Sequence, residues 1–405
     1  MGGLAGRRTG RVTHLLAATG VSVTGDGALQ AAAPLLAASL TRNPLAVSTV
    51  TAAFYLPWLL AGLPAGALAD RWSRRRVMVT ADLVRAAVLS VLAALVLLHR
   101  ANLAMLAGCI LLVGIAQCFF DASSQAVIPT LVGRDRETLA RTNGRYWAID
   151  TVGRSLAGPP IGSWTFTLGR AVPFVGDAVT FLLSAAFISR LPKLPAAGLA
   201  QPLTAAIRDG LAHLRATAEL RVLAASTAAY NFAYNLVMAT FVLYATETLR
   251  IADAGYGLLL AVAAFGGIAT GWRAAPLTRR LTYRQIMTIA CLLQGLAWVG
   301  MALVRDVYAS GCFLALVGAA STLTSVAASS ARQSLTPDHL LGRVVSAFRL
   351  FGIGAAGLGA LTGGLLAGQT SLRMPLWAAA GLLAVAAVML RPWRAVAAGP
   401  GGGVE

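Results

Sequence analysis

From about residue 13 onward, long apolar runs alternate with short polar breaks along almost the whole chain. The runs fall at about 13–39, 45–69, 77–98, 102–126, 143–168, 171–190, 220–247, 255–274, 285–304, 307–330, 344–368 and 374–391. Each is close to or above the roughly 20 residues that an α-helix needs to cross the hydrocarbon core of a bilayer. None shows the period-two alternation of a barrel strand. The pattern therefore predicts an all-α membrane protein with twelve transmembrane helices. Glycine and proline inside the runs do not oppose this, because neighbouring helices re-satisfy the freed backbone groups. The first run reads as a span and not as a cleavable leader, being too long and continuous.

The longest polar break, about 191–219, splits the runs six and six. The organisation expected is an N-terminal six-helix bundle over 1–190, a cytoplasmic linker over 191–219, a C-terminal six-helix bundle over 220–395 and a disordered tail over 396–405. Within the linker, "LTAAIRDGLAHLRATAEL" places Ile207, Leu211 and Leu214 on one helical face. Such a helix either lies on the membrane surface or serves as a solvated connector. An internal echo accompanies the division. "ASSQAVIPTLVGRDRETLARTNG" follows the fourth run and "ASSARQSLTPDHLLGRVVSAFRL" follows the tenth, as paired repeats would produce.

Composition strengthens the membrane reading. Hydrophobic residues make up 57% of the 405, charged residues only 12%, and the mean hydropathy is +0.72. Soluble domains carry about twice that charge. The net charge of +18 would suggest nucleic acid if it formed one soluble basic face, but its placement speaks for topology. With the N-terminus inside, twenty-four of the thirty-three basic residues fall on the cytoplasmic side and six on the other, one per loop. This is the positive-inside asymmetry, with both termini cytoplasmic. No nucleic-acid partner is expected. Cys109, Cys118, Cys291 and Cys312 all fall in spans without ligand spacing, and the four histidines are scattered. No metal site or cofactor is expected.

The densest charge sits between the second and third runs, in "GALADRWSRRR". Gly66-x-x-x-Asp70-Arg71-x-Ser73-Arg74-Arg75 resembles the loop signature of the major facilitator superfamily, G-x-x-x-D-R-x-G-R-R, with serine in place of the second glycine. In the fifth run, Gly158-Pro159-Pro160-x-Gly162 resembles the antiporter motif of the superfamily's drug-efflux branches. "TGDGALQAAAPLLAASLT", "PFVGDAVTFLLSAAF" and "AGYGLLLAVAAFGGIATG" resemble the first, sixth and eighth helices of the bacterial branch of siderophore and macrolide exporters. The arginine common on the fourth helix of other drug-antiporter branches has no counterpart in residues 102–126. The resemblance implies a conformational switch in which Asp70, Arg74 and Asp121 form a cluster that latches the two halves in one state and releases them in the other.

Intramembrane ionisable groups are functional candidates because burying charge in hydrocarbon is costly. Asp26, between two glycines and with no basic residue near it in sequence, is a candidate proton or substrate site; the alternative is a packing carboxylate bonded to a neighbouring helix. Gln30 lies one turn on. Asp150 and Arg154 are spaced i, i+4, and Asp82 and Arg85 i, i+3, as intrahelical salt bridges require. Asp150 and Arg154 stand with Asp26 as proton-coupling candidates. Asp177 reads as structural, and Arg349 as a partner for acids on the loop side. In "YNFAYN", Tyr230 with Tyr234 and Asn231 with Asn235 form adjacent polar stripes. These four, with Gln30 and Gln117, are substrate candidates; interhelical hydrogen bonding is the alternative.

The function expected is a secondary active transporter in a bacterial cytoplasmic membrane. It would export a small hydrophobic or amphipathic molecule such as a drug, antibiotic or siderophore in exchange for protons, by alternating access, as a monomer. An importer or facilitator on the same fold is the alternative. A primary pump is disfavoured, since the sequence has no G-x-x-x-x-G-K-[ST] loop and its sole lysine is Lys193. A membrane enzyme is disfavoured too: "GRSLA" at 153–157 misses G-x-S-x-G at its last position and lies in a span. A sensor would need a soluble domain.

Overall fold

The polar breaks are built as helix caps. Asn43 accepts from the backbone N–H groups of Leu45 and Ala46 at 3.0 and 3.3 Å, with Pro44 at the first helical position, where its missing N–H costs nothing. Thr282 and Gln285 form a capping box, and Asp306 accepts from the N–H of Ala309 at 2.8 Å. Local capping lets the chain reverse within a few residues and commit the rest to helix. The computed structural model describes residues 2–62, 64–65, 72–132, 136–192, 203–273, 277 and 280–390, and their regular structure is helical.

In chain order the helices are α1 (Gly2–Leu40), α2 (Pro44–Leu60), α3 (Arg74–Leu97), α4 (Leu103–Val132) and α5 (Arg136–Thr151). A π-helical turn, Val152–Ala157, joins α5 to α6 (Gly158–Leu168), and α7 (Val172–Ser189) and α8 (Leu203–Ala216) follow. Next come α9 (Ala218–Met238), the single turn α10 (Phe241–Leu243) running into a second π turn (Tyr244–Thr248), and α11 (Asp253–Gly271). The chain ends with α12 (Tyr283–Leu303), α13 (Val307–Leu335), α14 (Asp338–Gln369) and α15 (Met374–Leu390).

Seven of the described helices are long and apolar enough to cross a membrane: α3, α7, α11, α12, α13, and parts of α4 and α14. The chain is a multi-pass membrane protein. The other expected runs depart for physical reasons. α2 and α15 are apolar but have 17 residues each. The first run lies inside the 39-residue α1. The fifth is divided by the π turn, and the seventh, in α9, carries the Tyr-Asn stripes. The stretch 193–202 of the expected linker and the expected tail at 396–405 lie outside the described residues.

Helix α1 packs on α6 and α7, α3 on α4 and α7, and α2 on α4. Separately, α9 packs on α14 and α15, α11 on α13, and α12 on α13 and α15. The two groups meet mainly along two long seams, α2 with α14 and α6 with α11. At the end holding the α1–α2 turn, one apolar cluster runs through both groups, joining Leu36, Val47 and Val50 to Leu236, Phe241 and Val242. At the opposite end the cores are separate. One gathers Leu15, Met78, Val127 and Ile188; the other gathers Leu220, Leu223, Ala328 and Val344. Leu211 and Leu214 of α8 join the second of these clusters, so the apolar face of that helix is used against protein. A side chain at Gly210 would meet the carbonyl oxygen of Arg343 at 2.4 Å, which sets the approach of α8 to α14.

Candidate functional site

Between the two helix groups lies a cavity of about 1250 Å³. Its walls come from α1, α2, α4, α5, the first π turn and α6 on one side, and from α9, α11, α13 and α14 on the other. The shared apolar cluster closes it at the α1–α2 end. Toward the other end the lining reaches Trp147 and Trp272, which are 52% and 85% exposed. Most of the wall is apolar or aromatic, including Phe54, Tyr55, Trp58, Tyr256 and Leu260.

Apart from Arg349, the charged groups of the wall belong to one connected network, and it starts at Asp26. This residue has no basic neighbour on its own helix, but it is not unpaired: its Oδ2 lies 3.0 Å from Nη2 of Arg154. Arg154 also donates to Oδ1 of Asp150, from Nε and Nη2 at 3.3 Å each, so the expected i, i+4 pair forms and extends across helices. The π turn that carries Arg154 has a local cause. Pro159 and Pro160 supply no N–H to the preceding carbonyls, and the helix re-pairs with a wider register, Gly158 N–H reaching the carbonyl of Gly153. The glycines then allow close approach. A Cβ at Gly158 would lie 2.6 Å from Cα of Gly27, and one at Gly162 would lie 2.2 Å from the carbonyl oxygen of Ala28.

Behind Asp26 sits Arg85, with no exposed surface in mid-helix on α3. Its Nη1 is 4.0 Å from Oδ1 of Asp26. It donates to Asp82, the expected i, i+3 partner, and to Oε1 of Gln117 on α4. Phe120 and Phe181 stack on its guanidinium, their ring centres 4.6 and 4.1 Å away. Gln117 in turn donates to Oδ1 of Asp121 at 2.8 Å. A chain of ion pairs and hydrogen bonds thus runs from Asp150 through Arg154, Asp26, Arg85 and Gln117 to Asp121. Reading by sequence placed Arg85 in a local pair with Asp82 and missed its central position. The available signal was its place halfway along a 24-residue apolar helix.

Other candidates are distributed as follows. Gln30, Pro159, Tyr234, Asn235 and Arg349 line the cavity. Arg349 lies over the Trp58 ring at 5.5 Å, across the α2–α14 seam. Tyr230 is buried, its hydroxyl 3.1 Å from Ser321 Oγ. Asn231 is half-buried, and its carbonyl accepts from Asn235 Nδ2 at 3.0 Å. The "YNFAYN" stripes are therefore divided: Tyr234 and Asn235 face the cavity, and Tyr230 braces α9 on α13. Pro160, like Gly158 and Gly162, belongs to the segment packed on α1. Of the loop signature, Gly66, Asp70 and Arg71 lie outside the described residues. Arg74 opens α3, and Arg75 donates to the carbonyls of Ser189 and Leu191 at 3.3 and 2.9 Å, covering the end of α7.

The sequence model of the transmembrane secretion effector family matches residues 1–397. The multidrug efflux pump Tap of Mycolicibacterium fortuitum is 29% identical over 380 residues, covering 90% of this chain and 91% of that protein. The multidrug efflux pump Tap of Mycobacterium tuberculosis is 28% identical over 371 residues, covering 88% and 87%. Among solved structures, the nucleoside transporter NupG superposes with a TM-score of 0.76 at 15% identity, over 94% of this chain and 98% of that one. A bacterial homologue of the iron transporter ferroportin superposes with a TM-score of 0.73 at 18% identity, over 94% and 98%.

Proposed function

Because the chain belongs to the transmembrane secretion effector family, within the major facilitator transporters, we propose that it is a proton-coupled exporter of small hydrophobic or amphipathic molecules from a bacterial cytoplasm. Its twelve spans form two six-helix bundles that rock about the cavity, with both termini in the cytoplasm. The positive-inside count assigns the open end of the cavity to the cytoplasmic side. The conformation described is then inward-facing, and substrate enters from the cytoplasm or the inner leaflet.

The observation that carries this reading is the Asp26–Arg154 pair at 3.0 Å in the cavity wall. A carboxylate with Arg85 behind it at 4.0 Å is held there by a closer guanidinium on a helix segment whose backbone is already widened into a π turn. Protonation of Asp26 removes the negative charge that holds Arg154 to α1 and leaves it paired with Asp150 alone. Relaxation of the π turn then biases the bundles toward the opposite opening, so that proton and substrate favour different states. The aromatic lining supports an amphipathic cargo, as do the relatives named multidrug efflux pumps.

The experiment is transport in proteoliposomes under an imposed pH gradient, with a fluorescent amphipathic dye as cargo. Uphill movement of dye against proton flow is expected, and a protonophore should abolish it. Asp26→Asn should fall to the level of empty liposomes while melting at the wild-type temperature. Dye driven in the same direction as protons would establish import instead. Full activity in Asp26→Asn would remove Asp26 from the coupling.

A further inference from the structure

Five aspartates lie among the described residues of the first helix group. Asp26, Asp82 and Asp177 are buried, and Asp121 and Asp150 are half-buried. The guanidiniums paired among them are Arg85 and Arg154. With all seven groups ionised the cluster would carry three surplus negative charges, and an uncompensated buried carboxylate is far costlier than a neutral acid. Protons are the simplest remedy, and the geometry indicates where one sits.

Asp26, Asp82 and Asp150 each have an arginine, and Asp121 has the amide of Gln117. Asp177 differs. It is 1% exposed, and its Oδ1 accepts only the Thr180 hydroxyl, at 2.9 Å. Its Oδ2 is buried with no hydrogen-bond partner, and among the described residues no basic nitrogen lies within 4.0 Å of it. The charged groups facing it are Asp26 from α1, Arg85 from α3 and Arg154 from the π turn. Arg85 is already engaged by Asp82, Gln117 and Asp26, and Phe181, one turn along α7 from Asp177, covers its face. Arg154 is engaged by Asp26 and Asp150.

The space for this carboxyl is made by a missing side chain. A Cβ at Gly25 would lie 2.0 Å from Asp177 Oδ1 and 2.4 Å from Thr180 Oγ1. The carboxyl is seated directly against the backbone of α1, one residue before Asp26. We propose that Asp177 is a second proton-binding site, protonated in this conformation, in a pocket formed by Gly25 and Thr180. Its use in the transport cycle rests on the proton-coupled reading above. A proton arriving from the cavity binds a carboxylate oxygen of Asp26; that O–H bond breaks as an O–H bond forms on Asp177. Asp26 is left ionised and free to pair with Arg154. Return of the proton to Asp26 breaks the pair. Asp177 thus stores the proton that decides whether Arg154 is held to α1 by Asp26.

The test is difference infrared spectroscopy of the full chain in lipid nanodiscs, titrated in pH without any cargo. Wild type should show the carbonyl stretch of a protonated carboxylic acid at neutral pH. Asp177→Asn, nearly isosteric, should remove that band. Thr180→Val, which deletes only the hydroxyl donor, should shift its frequency, and this variant serves if Asp177→Asn does not fold. Replacing sodium by choline should leave the band unchanged. A neutral-pH spectrum unaltered by both substitutions would overturn the proposal. So would a band that emerges only when sodium is withdrawn, since the site would then hold a cation. If the band behaves as stated while a protonophore leaves dye transport untouched, the site stands and the proton-coupled reading fails.

Discussion

Arg85 shows what a single buried guanidinium does in this protein. It has two acceptors at hydrogen-bonding range, a second carboxylate at 4.0 Å and two aromatic rings against it. A planar fork fits that geometry and an ammonium does not. Arg85→Met should destabilise the protein by about 3–5 kcal/mol, because it leaves Asp82 buried and unpaired. The loss should be read as a lowered melting temperature in detergent. Adding Asp82→Asn to Arg85→Met should recover much of it, whereas Arg85→Lys should not. Asp82 and Arg85 were legible as a pair from their spacing. The rings of Phe120 and Phe181 were not, since they arrive from other helices.

At the scale of elements, the segment from α5 to α6 combines a π turn, two prolines and close-packed glycines. Replacing Pro159 and Pro160 by alanine restores two N–H donors and should let the turn close to α-helical register. One residue of register rotates a side chain by about 100°, enough to carry Arg154 away from Asp26. Efflux should fall several-fold while the melting temperature holds or rises, and dye transport beside thermal unfolding checks both. On the facing helix, a Cβ at Gly257 would lie 2.1 Å from the carbonyl oxygen of Pro159. Gly257→Val should force α6 and α11 apart at the closed end. A cysteine placed at Leu36 should then react faster with a membrane-impermeant thiol reagent added from outside, in a background free of native cysteines.

Over the whole molecule, the closed end is held by apolar contact, and among the described residues an exposed ion pair spans the two groups. Arg42 and Glu247 are 3.2 Å apart, with side chains 68% and 40% exposed. A pair so well solvated contributes about 0–1 kcal/mol, so Glu247→Gln should barely change stability or transport. The same positions make a good lock. Arg42→Cys with Glu247→Cys, bridged by a short cleavable thiol cross-linker, should stop transport, and cleavage should restore it. Transport that persists through the cross-link would mean that this end does not open.

Much of this architecture could be read from residue order alone. Apolar run length is a property of consecutive residues, so the multi-pass membrane class and the long breaks were already present in the pattern. The pairs Asp82–Arg85 and Asp150–Arg154 were also foreseeable, because three- and four-residue spacing places side chains on one face of one helix. The tertiary structure decided which helix meets which. It gave Asp26 a partner 128 positions away in Arg154, made Arg85 the hub, and seated Asp177 against a glycine with no guanidinium within 4.0 Å among the described residues. It also turned the apolar side of α8 onto α14. Those outcomes depend on how helices cross and how closely glycines let them approach, and neither is encoded in the spacing of residues along any one helix.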